Sequence, residues 1–302
     1  MTGFSRLILL TNCVLLCGVL QAQQEQPDTA AASSSSSATI VHIPPPPAEP
    51  PILEDGGFSV QANYWLTAGK PNLRGGQGLT DTTPADLYYP AKPDPATGVT
   101  LSIPAGNQNS LRISYFRVQG AGPATASQNL SLFDTSFSQG DYLNARYRLQ
   151  NAKISWDYLG YTWHRRRGPL RLKTLYELQY TSVYSQIDAP LRAISTDSSG
   201  TAISNTAQKT LQFFSPTFGL ELEQPLGRHF RWEAKASGFG YPHHWAIWDG
   251  EASAVLKLKS WELLAGEKAF HYKTSPAASE YLSQTLSGAY VGVRWYWGLD
   301  EK

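Results

Sequence analysis

The chain has 302 residues, with 25 Lys and Arg against 24 Asp and Glu and a formal net charge of +1. That balance gives no electrostatic case for binding nucleic acid. The two cysteines, Cys13 and Cys17, both lie in the first 22 residues, so no disulfide framework or thiolate metal site is available to the rest.

Residues 1–22 read as a secretory signal peptide. Arg6 precedes an apolar run from Leu7 to Leu20, broken by Thr11, Asn12 and Gly18, and Leu20-Gln21-Ala22 offers a cleavage site. The run is shorter than the about 20 apolar residues a membrane-spanning helix needs. A lipoprotein signal at Cys17 wants a small residue before it, and Leu16 stands there. Cleavage near Ala22 is therefore expected, leaving 24 basic and 24 acidic residues.

Residues 23–56 form a Gln-rich, then Ser/Ala-rich, then Pro-rich arm that includes Pro44 to Pro47, Pro50 and Pro51. Too little apolar surface is present to fold it, so a disordered, extended periplasmic leader is expected. Contact with the cell wall is the alternative role for this arm.

From residue 57 to 302 the signal is a two-residue alternation, the mark of strands whose two faces meet different surroundings. Phe58, Val60, Ala62, Tyr64 and Leu66 alternate with Ser59, Gln61 and Asn63; Phe230, Trp232, Ala234 and Ala236 alternate with Arg231, Glu233, Lys235 and Ser237. Short joins near 104–109, 165–169, 225–228 and 259–260 alternate with long joins near 67–97, 120–140, 188–208, 241–247 and 273–284. The expected strands are about 58–66, 98–103, 110–119, 141–164, 170–187, 209–224, 229–240, 248–258, 260–272 and 285–297. This predicts an all-β, transmembrane, antiparallel up-and-down barrel of about ten strands, with eight and twelve as open alternatives. Within 141–164 the apolar phase changes from Leu143, Ala145, Tyr147 and Leu149 to Ile154, Trp156 and Tyr158, which predicts a bulge near Gln150-Asn151.

A soluble, lipocalin-like barrel would show the same alternation with its apolar face inward. Tryptophans near expected strand ends favour the membrane: Trp65, Trp245 and Trp248 at the outer side, and Trp163, Trp232, Trp261, Trp295 and Trp297 at the periplasmic side, as an aromatic girdle. The last strand carries Tyr290, Gly292, Trp295 and Trp297, which resemble the C-terminal assembly signal of Gram-negative outer-membrane barrels. Tyr stands in the polar slot of that signal, and Gly298 to Lys302 follow its last aromatic. The wider chain also resembles small outer-membrane barrels with a proline-rich leader. The resemblance implies an outer-membrane location, lipid contact and recognition of Trp295 and Trp297 by the barrel-assembly machinery.

With the apolar face outward, the lumen is expected to receive Arg171, Lys173, Glu177, Glu221, Glu223, Arg231, Glu233, Lys235, Glu251, Lys257, Glu262, Lys268 and Arg294. In a narrow barrel these imply a paired, largely filled interior, with a narrow solute path as the second reading. His243, His244 and Asp249 are the candidate chemical cluster, placed in an expected extracellular loop, where a His and a carboxylate suit base-and-orienter work in a barrel-embedded hydrolase. Ten strands is also the number in omptin-type surface proteases, whose acidic and Asp/His arrangement has no residue-by-residue match here. Arg165, Arg166 and Arg167 mark a short turn suited to anionic headgroups. No phosphate-binding Gly loop, zinc spacing or nucleophile elbow occurs, and no cofactor or metal is implied.

Overall fold

The structure, a computed structural model, describes residues 57–69, 71–75, 85–88, 93–165, 168–192, 205–241, 245–275 and 281–297. The signal and leader segments, Arg166, Arg167, His243 and His244 lie outside these residues. The described elements are all strands: β1 (Phe58–Trp65), β2 (Asn72–Gly75), β3 (Ala85–Tyr88), β4 (Ala96–Pro104), β5 (Asn109–Thr125), β6 (Leu130–Leu132), β7 (Thr135–Phe137), β8 (Tyr142–Trp163), β9 (Leu170–Asp188), β10 (Thr206–Pro225), β11 (Phe230–Tyr241), β12 (Trp245–Leu258), β13 (Trp261–Lys273) and β14 (Tyr281–Trp297).

Ten of them, β1, β4, β5 and β8 to β14, form one antiparallel ring in which each pairs with its neighbours in chain order. The ring closes where β14 returns to β1, from Phe58↔Trp297 to Trp65↔Tyr290, so no strand edge of the wall is left unpaired. The other four make two hairpins in the long joins. β2–β3 hangs from the start of β14, and β6–β7 pairs with itself. Two tight turns show why the short joins work. In the β4–β5 turn Ala105 N donates to Asn109 O at 2.9 Å while Gly106 takes φ +94°. The two-residue β12–β13 turn holds Lys259 at φ +56°.

The ten-strand barrel is as the alternation predicts, and β4 is a full wall strand paired on both sides. The bulge expected at Gln150-Asn151 is absent. β8 pairs without a break against β5 from Thr125↔Tyr142 to Asn109↔Tyr158, and its register with β9 shifts only between Leu159 and Tyr161. That shift, at Gly160, turns both Tyr161 and Trp163 outward, with ring centroids 4.7 Å apart.

The phase change in β8 is a change of surroundings along a regular strand. Its inward positions run Leu143, Ala145, Tyr147, Leu149 and then Asn151, Lys153, Ser155, Asp157. Its outward positions run Asn144, Arg146, Arg148, Gln150 and then Ala152, Ile154, Trp156, Tyr158. Both faces invert, in opposite senses, at one level. The neighbours invert at the same level in register. On β5 the outward face passes from Tyr115 to Arg117, paired with Ala152 and Gln150. On β9 the inward face passes from Thr181 to Val183, paired with Asn151 and Leu149. On β10 the outward face passes from Phe214 to Gln212. Across the ring, outward Ser283, Thr285 and Ser287 of β14 give way to Ala289, Val291 and Val293.

The barrel therefore has two halves. Towards the short-turn end the outer face is apolar and the interior polar. Towards the long-loop end the outer face is polar and the interior is a dry core. That core takes Trp65, Phe116, Val118, Tyr147, Leu149, Val183, Phe270, Tyr272 and Leu286 from the wall, and Leu73, Leu87, Leu130, Leu132 and Phe137 from the two hairpins.

Candidate functional site

The interior of the short-turn half is built by every second residue of the wall, because a strand sends alternate side chains to one face. Ion pairs there join eight cations, Arg112, Lys153, Arg171, Lys173, Arg231, Lys235, Lys268 and Arg294, to eight carboxylates, Asp157, Glu177, Glu221, Glu223, Glu233, Asp249, Glu251 and Glu262. These sixteen groups carry no net charge.

Nearest the short-turn end, the Arg231 guanidinium donates in parallel to Glu262 Oε1 at 2.9 Å and Oε2 at 2.8 Å. Arg294 does the same to Glu233, at 3.1 and 3.2 Å, and its Nε donates to Gln61 Oε1 at 3.0 Å. Tyr296 donates to Glu262 Oε2 at 3.0 Å. Such paired N–H···O bonds fix direction as well as distance. Further in, Arg112 meets Asp157 at 2.6 Å and Glu221 at 2.9 Å, and Lys173 meets Glu223 at 3.0 Å.

The inner end of this column combines ions with neutral hydrogen-bonding groups. Lys153 lies 3.0 Å from Glu177 and 2.8 Å from Asp249, and Ser237 Oγ stands within hydrogen-bond distance of both carboxylates. Thr217 donates to Glu177, Gln179 to Thr217, and Asn151 to Thr181. Tyr290 donates to Glu251 at 2.6 Å. Above them Lys268 sits 5.6 Å from the Trp65 ring centroid and 5.0 Å from that of Phe116, a cation laid against the first aromatic layer of the dry core. The column holds polar cavities of about 50 and 30 Å³ among the described residues, room for ordered water between the ion pairs.

Of the residues expected in the lumen, twelve take part in these pairs. Lys257 lies at the same end, in register with Glu262. Arg112, Lys153 and Asp157 join them unforeseen. Their signal was in the sequence, since outward Ile113, Ile154, Trp156 and Tyr158 require their odd or even neighbours to face in.

Asp249 requires correction. It belongs to β12, faces inward and is committed to Lys153 and Ser237, so it does not stand in an extracellular loop as a partner for His243 and His244. Trp65 also differs from expectation. It is 2% exposed, faces inward and donates from Nε1 to Gly288 O at 3.1 Å. Trp245 packs, half-buried, against the interior cluster. Trp163, Trp248 and Trp261 are exposed on the outer face, and Trp232 lies half-buried there with Nε1 donating to Gln224 at 3.3 Å. On β14, Tyr290 and Gly292 face inward. Trp295 and Trp297 face outward, with Trp295 stacked on Trp261 at 5.6 Å. Among the described residues no group of three His, Cys, Asp or Glu side chains is placed to hold a metal.

Fold and interior together define a closed ten-stranded antiparallel barrel with an ion-paired lower lumen and a dry upper core. No family model matches the chain, and no curated protein matches it. Similar solved structures include the outer-membrane protease OmpT from Escherichia coli, at 9% identity and TM-score 0.48 over 81% of this chain and 98% of that one. They also include the translocator domain of the autotransporter NalP from Neisseria meningitidis, at 14% identity and TM-score 0.40 over 80% and 89%. A third is Ail, the attachment invasion locus protein of Yersinia pestis, at 9% identity and TM-score 0.32 over 79% and 99%.

Proposed function

We propose that the chain is an integral outer-membrane barrel with a filled, non-conducting lumen, and that it works as a structural or binding element at the cell surface through its long-loop half. The observation that carries this reading is the common level at which both faces of the wall invert. A strand with apolar residues outward and charges inward suits lipid outside and a polar lumen; the reverse suits water outside and a dry core. The outward apolar run of β8, from Ala152 to Trp163, is long enough for the about 9–11 residues a tilted strand needs to cross. The secretory features of residues 1–22 fit export. Short turns then face the periplasm, and outward Trp295 and Trp297 are accessible to lipid and to the assembly machinery.

A lipocalin-like soluble barrel fits poorly. Tyr176, Leu178, Phe214, Phe218 and Leu220 are each at least half exposed on the outer face, where such a protein meets water. Permeation fits poorly too, because the polar column ends against the Trp65 and Phe116 layer. The hydrolase reading loses Asp249 to the lumen.

The test is cysteine accessibility in lipid vesicles, using the chain with Cys13 and Cys17 replaced by serine and one of Arg146→Cys, Arg148→Cys, Ile154→Cys or Trp156→Cys. A membrane-impermeant maleimide should label positions 146 and 148 and leave 154 and 156 unlabelled. Equal labelling at all four would sink the membrane reading.

A further inference from the structure

Arg117, Arg146 and Arg148 project from the outer face of β5 and β8 in the first rows above the apolar band, and all three are exposed. The register places Arg117 beside Gln150 and Arg148 beside Gln119, which makes the two arginines diagonal neighbours across the strand pair. Arg146 follows one row further out, opposite Ala121 and Gln186.

The charge here is unbalanced in a way the lumen is not. Above the band, neither β5 nor β8 carries an outward carboxylate. The partners the side chains have are neutral: Arg117 donates to Gln119 Oε1 at 2.9 Å, and the Arg148 guanidinium lies 5.5 Å from the Tyr184 ring centroid. On the adjoining β9 the one outward acid above the band, Asp188, accepts from Gln186 at the far end of the strand. A chain that pairs sixteen interior charges leaves three guanidiniums together at one height of its outer wall. The lead-in to β4 brings exposed Asp94 beside Gln119, with Asp94 N donating to Gln119 O at 2.8 Å, yet among the described residues none of the three arginines is ion-paired to a carboxylate.

Resting on the membrane reading above, we propose that these arginines bind the phosphate groups of an outer-leaflet glycolipid whose acyl chains lie against the aromatic band below. Height selects the occupant. Tyr115 and Ala152 end the apolar band directly beneath Arg117 and Gln150, so a lipid packed on Ile113, Ile154 and Trp156 carries its headgroup to the arginines. Chemistry selects phosphate, since the guanidinium fork matches its oxygens two at a time. Gln119 and Gln150 add neutral donors in the same rows.

The full chain is inserted into phosphatidylcholine vesicles and into vesicles that also contain bisphosphorylated lipid A or its dephosphorylated form. Lipid retained after detergent extraction is counted by native mass spectrometry. The wild type should retain bisphosphorylated lipid A and discriminate against the dephosphorylated form, a comparison that needs no variant. The triple substitution Arg117→Gln, Arg146→Gln, Arg148→Gln should weaken retention roughly a hundredfold, from about a factor of five for each arginine near an anionic surface. Arg165→Gln, at the opposite end of the barrel, should leave it unchanged. Equal retention of the two lipid A forms overturns the proposal, as does undiminished retention by a folded triple variant. If inorganic phosphate or heparin binds the arginines as well as lipid A does, the occupant is a soluble anion and the lipid assignment fails. A wild-type chain that shows no heat-modifiable migration in phosphatidylcholine alone overturns the membrane reading itself, before lipid A enters the comparison.

Discussion

Arg231 gives both terminal nitrogens to Glu262, while Arg294 and Tyr296 also converge on the same carboxylate. Glu262 is 1% exposed, so water cannot take over for a missing partner. Removing one member of a buried pair leaves an uncompensated charge and costs about 3–5 kcal/mol. Glu262→Gln should therefore lower stability by about that amount, read from urea unfolding in vesicles by tryptophan fluorescence. Glu267→Gln, on the exposed face of the same strand, should stay within about 0.5 kcal/mol. Trp65 shows a different residue-scale lesson. It was readable as a girdle tryptophan because it stands near a strand end, yet its parity with Ser59, Gln61 and Asn63 already placed it on the inner face. A brominated lipid should quench Trp156 and leave Trp65 untouched, so Trp156→Phe should reduce the quenchable fluorescence and Trp65→Phe should not. The reverse pattern would place Trp65 in lipid and contradict its buried, hydrogen-bonded position.

At the scale of the strand, the number of elements and their alternation were legible because each wall strand separates two solvents. Less legible was a strand that crosses from one pair of solvents to another. β8 carries the apolar period on odd residues in its first half and on even residues in its second, and sequence alone cannot distinguish that from an inserted residue. Continuous pairing with β5 decides it. Asp249 already falls within the expected strand 248–258, and its parity with Glu251 places it on the inner face; grouping it with His243 and His244 by nearness in sequence set that parity aside, and β12 carries the carboxylate into the lumen. The closing seam makes its own demand. Gly288 takes φ +156°, a Cβ there would stand 1.9 Å from Leu66 O, and Leu66 N donates to Ala289 O at 2.8 Å. Gly288→Ala must move backbone on β1 or β14, and should lower the temperature at which the folded gel band is lost. Gly106→Ala is also at positive φ but meets nothing within 4 Å, so it should cost only about 1–2 kcal/mol.

For the whole molecule, the arrangement of its two halves decides whether anything passes through. The column near the short turns is polar, but its charges are locked to one another, and its cavities of about 50 and 30 Å³ hold no more than a few waters. The wall's own side chains then close the way: Trp65 contacts Phe116 edge to face at 5.7 Å, and Phe116 contacts Phe270 at 5.1 Å. Leu149, Val183 and Leu286 fill in around them. An ion leaving the charged column would have to shed its partners and water to cross that layer, which is costly in a dry interior. Planar bilayers containing the folded chain should therefore show no current steps. The hairpin β6–β7 adds Leu130, Leu132 and Phe137 to the same core but takes no part in the Trp65–Phe116–Phe270 contacts, so deleting residues 130–137 should also leave the bilayer silent. Current in the wild type would overturn the filled-lumen reading; current in the deletion alone would move the seal from the wall to the hairpin.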